Sequence, residues 1–162
     1  MSAEKSAWTS AVAFDSKGYP HIADTYYLSN HDQRYRIASW DGKQWQDREV
    51  AYAGSRLYER EASYTGLITL DPSDPSIVAI STNVYPNNGK PLGEHHQIFK
   101  ARLKKTDDTD SINWQQLTDD KHNDNLRPII VVGEDHKMLI WLKGKYTTYT
   151  NYYLDAVGMQ LN

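Results

Sequence analysis

The feature that most limits what this chain can become is one pattern that runs through it three times. Each pass has an apolar stretch, a tight turn led by Asp or Gly, a second apolar stretch, a polar loop and an amphipathic stretch; the first two passes then add a turn and a Trp. In the first pass residues 9–14 lead into the turn Asp15-Ser16-Lys17-Gly18, residues 19–28 follow, and residues 29–33 form the polar loop. Tyr35, Ile37 and Ser39 then alternate with Arg36, Ala38 and Trp40, and Asp41-Gly42 turns the chain into residues 45–50. Alternation with period two between Gly, Asp and Pro turns marks antiparallel strands joined by hairpins.

The second pass has strands at 66–70, 77–82 and 96–103 and a short one from Trp114, with a turn at 71–75 and a Pro/Gly/Asn-rich loop at 83–93. The third has strands at 127–132, 137–142 and 149–157, a turn at 133–136 and a Tyr/Thr-rich loop at 144–148, but no fourth strand. Asp15, Asp71 and Gly133 are the equivalent turn positions, so the repeat is about 56 and then about 62 residues long, a propeller-like period lengthened by inserted loops. Four short antiparallel strands make a sheet the size of one β-propeller blade. The expected fold is therefore all-β: a partial β-propeller of about three four-stranded antiparallel blades, the last incomplete. It forms a single domain over 1–162, with blades at about 9–51, 65–118 and 126–158. Propellers close with about four to eight blades. An open set leaves faces and edges to be covered, so the chain is expected either to self-associate or to be completed by the missing remainder of a larger propeller. Residues 51–64 read as a long polar connection lying over one end, and loops of that length tend to carry function.

Composition excludes several classes. A net charge of -3 offers no basic excess to displace phosphate counterions, which argues against nucleic acid. The basic cluster Lys100, Arg102, Lys104 and Lys105 reads as a solvated strand edge. No cysteine is present, so disulfides and thiolate metal sites are out of reach. Residues 1–11 lack the apolar core of a signal peptide, and no run approaches the roughly 18 apolar residues of a membrane helix. Twelve Tyr and five Trp stand against two Phe. Flat rings with a polar handle suit half-buried sheet surfaces and sugar-stacking clefts alike.

Several motifs resemble one family. They are Asp15-x-x-Gly18-x-Pro20-His21-Ile22-Ala23, Tyr35-Arg36-Ile37-Ala38-x-Trp40-Asp41-Gly42-x-x-Trp45, and Tyr64-Thr65-Gly66-Leu67-Ile68-Thr69-Leu70-Asp71-Pro72. With Leu126-Arg127-Pro128 and Tyr149-Thr150-Asn151-Tyr152 they are similar to the BNR-4 group of propellers, which includes ulvan lyases and other polysaccharide lyases and is distantly sialidase-like. The similarity covers residues 10–158 and matches the later blades of those longer enzymes. It implies a bacterial carbohydrate-active protein, secreted or periplasmic, whose partner is a polysaccharide and whose reaction is eliminative cleavage at a uronate. Such a reaction needs a cation on the uronate carboxylate, a base for the adjacent carbon and an acid for the leaving oxygen. The alternative is a non-catalytic carbohydrate-binding or structural partial propeller that completes its ring by self-association.

Candidate residues follow from the alignment of turns. Thr9, Thr65 and Arg127 share one position at the start of the innermost strands. Arg127 is the candidate substrate clamp, its guanidinium fork matching a carboxylate; the structural alternative is an Arg paired with an acidic neighbour. Tyr64, one residue before the equivalent position, is a candidate for proton transfer, against a role as an aromatic plug. His31, in the polar loop of the first pass, is the other catalytic candidate, against a plain solvated histidine. Trp141 and Tyr146 are candidates for stacking on sugar, whereas Trp40, Trp45 and Trp114 recur at repeat positions and read as core. His21 belongs to the turn signature and reads as structural. His95 and His96 are adjacent, and adjacent strand residues point to opposite faces, so no metal is expected. No cofactor is expected either.

Overall fold

A computed structural model describes residues 6–58, 60, 64–105 and 107–161. Eleven strands make three separate antiparallel sheets. The first contains β1 (Ala7–Phe14), β2 (Pro20–Ser29), β3 (Asp32–Trp40) and β4 (Trp45–Gly54) in sequence order. The second contains β5 (Ile68–Asp71), β6 (Asp74–Thr82), β7 (Gln97–Arg102) and the two-residue β8 (Gln115–Gln116). The third contains β9 (Asp124–Val132), β10 (Lys137–Thr148) and β11 (Asn151–Leu161). One 3-10 turn at Thr109–Ser111 interrupts the strands. No helix among the described residues is long and apolar enough to cross a membrane.

Turn chemistry sets the hairpins. Asp15 Oδ1 accepts the backbone N–H groups of Lys17 and Tyr19, and Gly18 takes the positive φ of 77° that a side chain resists. Asp41 repeats the device with Lys43 and Gln44, and Gly42 has φ 98°. Two expectations need correction. Residues 144–148 are not a loop: β10 runs through Gly144 to Thr148 and pairs with β11, because Tyr146, Thr147 and Thr148, all of strong β propensity, outweigh one Gly. The first sheet also reaches beyond residue 51, since Gly54 pairs with Gln33.

The second sheet lies between the other two. A large apolar cluster, including Ala13, Ala23, Tyr35, Ile68, Leu70, Ile80 and Phe99, joins it to the first sheet. A smaller one, Ala79, Ile98, Ile130, Leu139, Trp141 and Leu161, joins it to the third. The period-two alternation assigns each inner strand two faces. In β1, Ala11 and Ala13 look toward the second sheet while Val12 and Phe14 are exposed. In β5, Ile68 and Leu70 look back at the first sheet, and in β9 Ile130 looks back at the second while Ile129 and Val131 are exposed.

Between the second and third sheets the core is partly polar. Trp141 Nε1 donates to Asn125 Oδ1 at 2.8 Å, Asn125 Nδ2 donates to Gln97 Oε1 at 3.3 Å, and Ser81 Oγ donates to the Asn125 carbonyl. Tyr35, wholly buried, donates its hydroxyl to the Ser81 carbonyl at 2.7 Å. Burial pushes that phenol well above its ordinary range. Each of these polar groups has a partner, which is the condition for burying them.

Candidate functional site

The starts of the inner strands and the long hairpin of the third sheet share one end of the molecule. Ala7 pairs with Tyr26, Ile68 with Ile80, and Asp124 with Gly144, so in every sheet the Asp or Gly turn lies at the far end.

Arg127 owes its position to an irregularity in β9. Ile129 pairs with Ile140 and Leu126 with Leu142, so Arg127 and Pro128 together face Trp141: two residues oppose one, a β-bulge. Proline has no N–H to give the ladder, and a bulge is where a strand tolerates it. Arg127 takes a φ of 54°, a conformation uncommon for a residue with a side chain, and its N–H donates to the Gly66 carbonyl at 2.8 Å. Strain of this kind persists where the surroundings hold it, and bulges re-aim side chains.

The re-aimed guanidinium sits among aromatic rings. Its carbon lies 5.2 Å from the Tyr64 ring centroid and 5.9 Å from that of Tyr146, within the range of cation–π attraction. The Nε atom is buried without a hydrogen-bond partner, and no carboxylate among the described residues pairs with the cation. The aromatic surface continues on both sides. Trp8 meets Tyr64 edge-on at 5.5 Å, Tyr146 stacks on Tyr152 at 6.5 Å, and Tyr58 lies 6.4 Å from Tyr146 and 6.3 Å from Tyr149. A band of rings thus runs from β1 of the first sheet, over the chain leading into β5, to the hairpin of the third sheet, with the Arg127 guanidinium in its middle.

Three of the five residues singled out in the sequence, Arg127, Tyr64 and Tyr146, meet in this cluster. His31 is exposed in the β2–β3 turn, where its N–H donates to Ser29 Oγ at 3.3 Å. The turn is fastened to the start of the 55–64 connection through Arg56 N–H to the Asn30 carbonyl at 3.1 Å. Among the described residues no contact joins the His31 ring to Arg127 or Tyr64. Trp141 stands across the bulge from Arg127 but turns inward: it is 9% exposed, belongs to the apolar cluster and gives its N–H to Asn125. One edge of it lines a separate recess of about 440 Å³ with Asp120, His122 and Lys143. There Lys143 lies 2.8 Å from Asp120 and, with backbone N–H groups, holds that carboxyl well below the usual range.

Trp8, Tyr58, Tyr149 and Tyr152 were not among the candidate residues. A cluster of Tyr around 146–153 was visible, but the pairing of Tyr146 with Tyr152 depends on β10 continuing past Gly144. The bulge had a sequence mark, Pro128 inside a stretch that otherwise reads as a strand.

Beneath the site, Thr65 is fully buried and donates its hydroxyl to the Ser55 carbonyl at 2.8 Å, with His96 Nε2 3.3 Å away. His95 and His96 precede β7, so the alternation of a strand does not separate them, and both approach Asp124 Oδ1, at 3.5 and 3.6 Å. Burial pushes the Asp124 carboxyl up, but hydrogen bonds from the His96 side chain and N–H outweigh it and leave the group below its ordinary value. Among the described residues no group of three or more His, Asp or Glu is placed to hold a metal ion.

The larger concavity, about 540 Å³, opens at the far end, between the first and second sheets. His21 lines it, with Nδ1 2.8 Å from Ser39 Oγ and Nε2 3.8 Å from Asp15 Oδ2. The second separation is too long for a hydrogen bond, so the three residues do not form a proton relay. Compared with known proteins, the chain matches no family model, no curated sequence and no solved structure.

Proposed function

We propose that the three sheets are blades of a carbohydrate-active propeller, and that the Arg127 cluster grips a uronate-containing polysaccharide and cleaves it by elimination. The observation that carries this reading is the guanidinium held between the Tyr64 and Tyr146 rings with no carboxylate of its own among the described residues. A cation so placed is ready for an external carboxylate, which Arg accepts in a two-point fork. The ring band from Trp8 to Tyr149 supplies apolar faces along which successive sugars stack.

With the carboxylate neutralised, the proton on the neighbouring carbon becomes removable. Tyr64, the phenol nearest Arg127, takes that proton as its phenolate. The electron pair released forms the new carbon–carbon double bond, the bond to the glycosidic oxygen breaks, and the departing oxygen recovers the proton from the Tyr64 hydroxyl. One side chain thus serves as base and acid, and His31 is not needed.

The test is to incubate the protein with ulvan and other uronate polysaccharides, follow the ultraviolet absorbance of the unsaturated product, and measure binding in parallel. Tyr64→Phe is expected to bind and give no product; Arg127→Ala is expected to lose both. Binding that survives Arg127→Ala removes Arg127 from the site. Binding by the unaltered protein without product leaves the second reading, a carbohydrate-binding module, which is favoured because among the described residues no contact joins the His31 ring to the clamp and Tyr64 is left to carry the proton transfer.

A further inference from the structure

Both outer faces of the three-sheet stack expose apolar side chains. The exposed apolar residues on the outer face of the first sheet are Val12 and Phe14, 54% and 58% accessible, beside Ile22 on β2. On the outer face of the third sheet they are Ile129 and Val131, 57% and 45% accessible, beside Ile140. Exposed apolar faces of a sheet mark a surface that meets something.

Register says what each face matches. Counted from the equivalent turn residues Asp15, Asp71 and Gly133, Val12 and Phe14 correspond to Ile68 and Leu70, which pack back on the first sheet. Val12 likewise corresponds to Ile130, which packs back on the second sheet. Ile129 and Val131 correspond to residues 11 and 13 of β1, the alanines that the first sheet offers to the second. The third sheet therefore ends in a face built to be followed by another sheet, and the first begins with a face built to receive one. A second copy of this chain carries both matching halves at once, and the contact continues an interface already made twice inside each molecule.

We infer that two copies associate head to tail, the first sheet of each packing on the third sheet of the other. The contact is heterologous, and when two copies meet at both ends the assembly closes. Closure forms two interfaces for a single loss of translational freedom, which favours the pair over an open chain of copies.

Sedimentation equilibrium across a concentration series tests this, with a mass of two chains expected. Phe14→Lys and Ile129→Lys, both at exposed positions, are each expected to weaken association about a hundredfold, because an unpaired ammonium is buried. Far-ultraviolet circular dichroism verifies that each variant keeps its strands. An equimolar mixture of the two variants restores dimers at high concentration, since one copy keeps a sound first-sheet face and the other a sound third-sheet face. A mass of one chain at every concentration overturns the inference and assigns the faces to other segments or proteins. A mass that grows without limit overturns closure. A variant that dimerises as well as the parent, or a mixture that does not recover, overturns the head-to-tail arrangement.

Discussion

Asp71 joins the second sheet to the third through a buried charge, and its removal gives a worked test of how the stack is held. Its side chain is wholly inaccessible, and Oδ2 lies 2.7 Å from Lys137 Nζ at the start of β10. Oδ1 accepts the N–H and the hydroxyl of Ser73, both at 2.8 Å. Asp71→Ala deletes three short hydrogen bonds to an ionised acceptor, each contributing roughly 1.5–3 kcal/mol at most. Lys137 is a third exposed and swings into water, and Ser73 lies in a turn that water reaches, so the net loss is about 2–4 kcal/mol. Asp71→Asn keeps an acceptor for Ser73 and loses the charge, for about 1–2 kcal/mol.

Burial pushes the Asp71 carboxyl up, but Lys137 and Ser73 outweigh it and set the folded value below the usual one. A depressed carboxylate contributes its stability in full above the unfolded value of about 3.9 and loses it as pH falls through the lower folded value. The contribution is therefore complete at neutral pH and disappears in the acid range. Urea unfolding at pH 7 reads the effect as a fall in midpoint of about 1 M or more, given a slope of roughly 2 kcal/mol per molar. Lys137→Met closes a double-mutant cycle, with a coupling of about 1–2 kcal/mol expected. A midpoint unchanged in Asp71→Ala, or a coupling near zero, refutes the buried bridge as the link between these sheets.

Gly66→Ala is expected to destabilise by about 1–3 kcal/mol, because a Cβ there overlaps the Ser81 side chain and carbonyl; urea midpoints report it, and the proposed sugar binding is expected to weaken as well, since the Gly66 carbonyl holds the Arg127 N–H. Tyr35→Phe strands the Ser81 carbonyl acceptor and costs about 1–2 kcal/mol in the same assay. Trp141→Phe removes the donor to Asn125 and is expected to lower stability by a similar amount, while the polysaccharide binding proposed for the Arg127 cluster is expected to be unchanged in a titration.

The strands were legible because their information is local. Alternation at Tyr35, Ile37 and Ser39, turn residues at Asp15, Asp41 and Asp71, and the recurrence of the whole set placed most strands within a few residues of their positions. The 144–148 segment misled because Gly144 reads as a breaker, whereas its pairing with Leu154 decides its conformation. Two residues of the site could be aligned from the turns, but their meeting could not. Arg127 reaches Tyr64 because a bulge changes its direction, and it reaches Tyr146 because a strand runs on past a glycine. The inward turn of Trp141 depends on Asn125, and a Trp presents the same letter whether it faces a sugar or a core.

The unequal cores on the two sides of the central sheet bear on when the site exists. Among the described residues fifteen buried side chains hold the first sheet to the second, and six hold the second to the third, where polar links replace apolar ones. Subglobal opening starts where cohesion is least, so the third sheet is the unit that detaches first on warming, and its amides exchange before those of β2 and β6. Arg127 and Tyr146 travel with that sheet, while Tyr64 stays with the chain leading into β5. The proposed grip on substrate is therefore expected to be lost at a temperature below global melting, and a ligand that bridges Arg127 and Tyr64 is expected to raise that first transition more than the second.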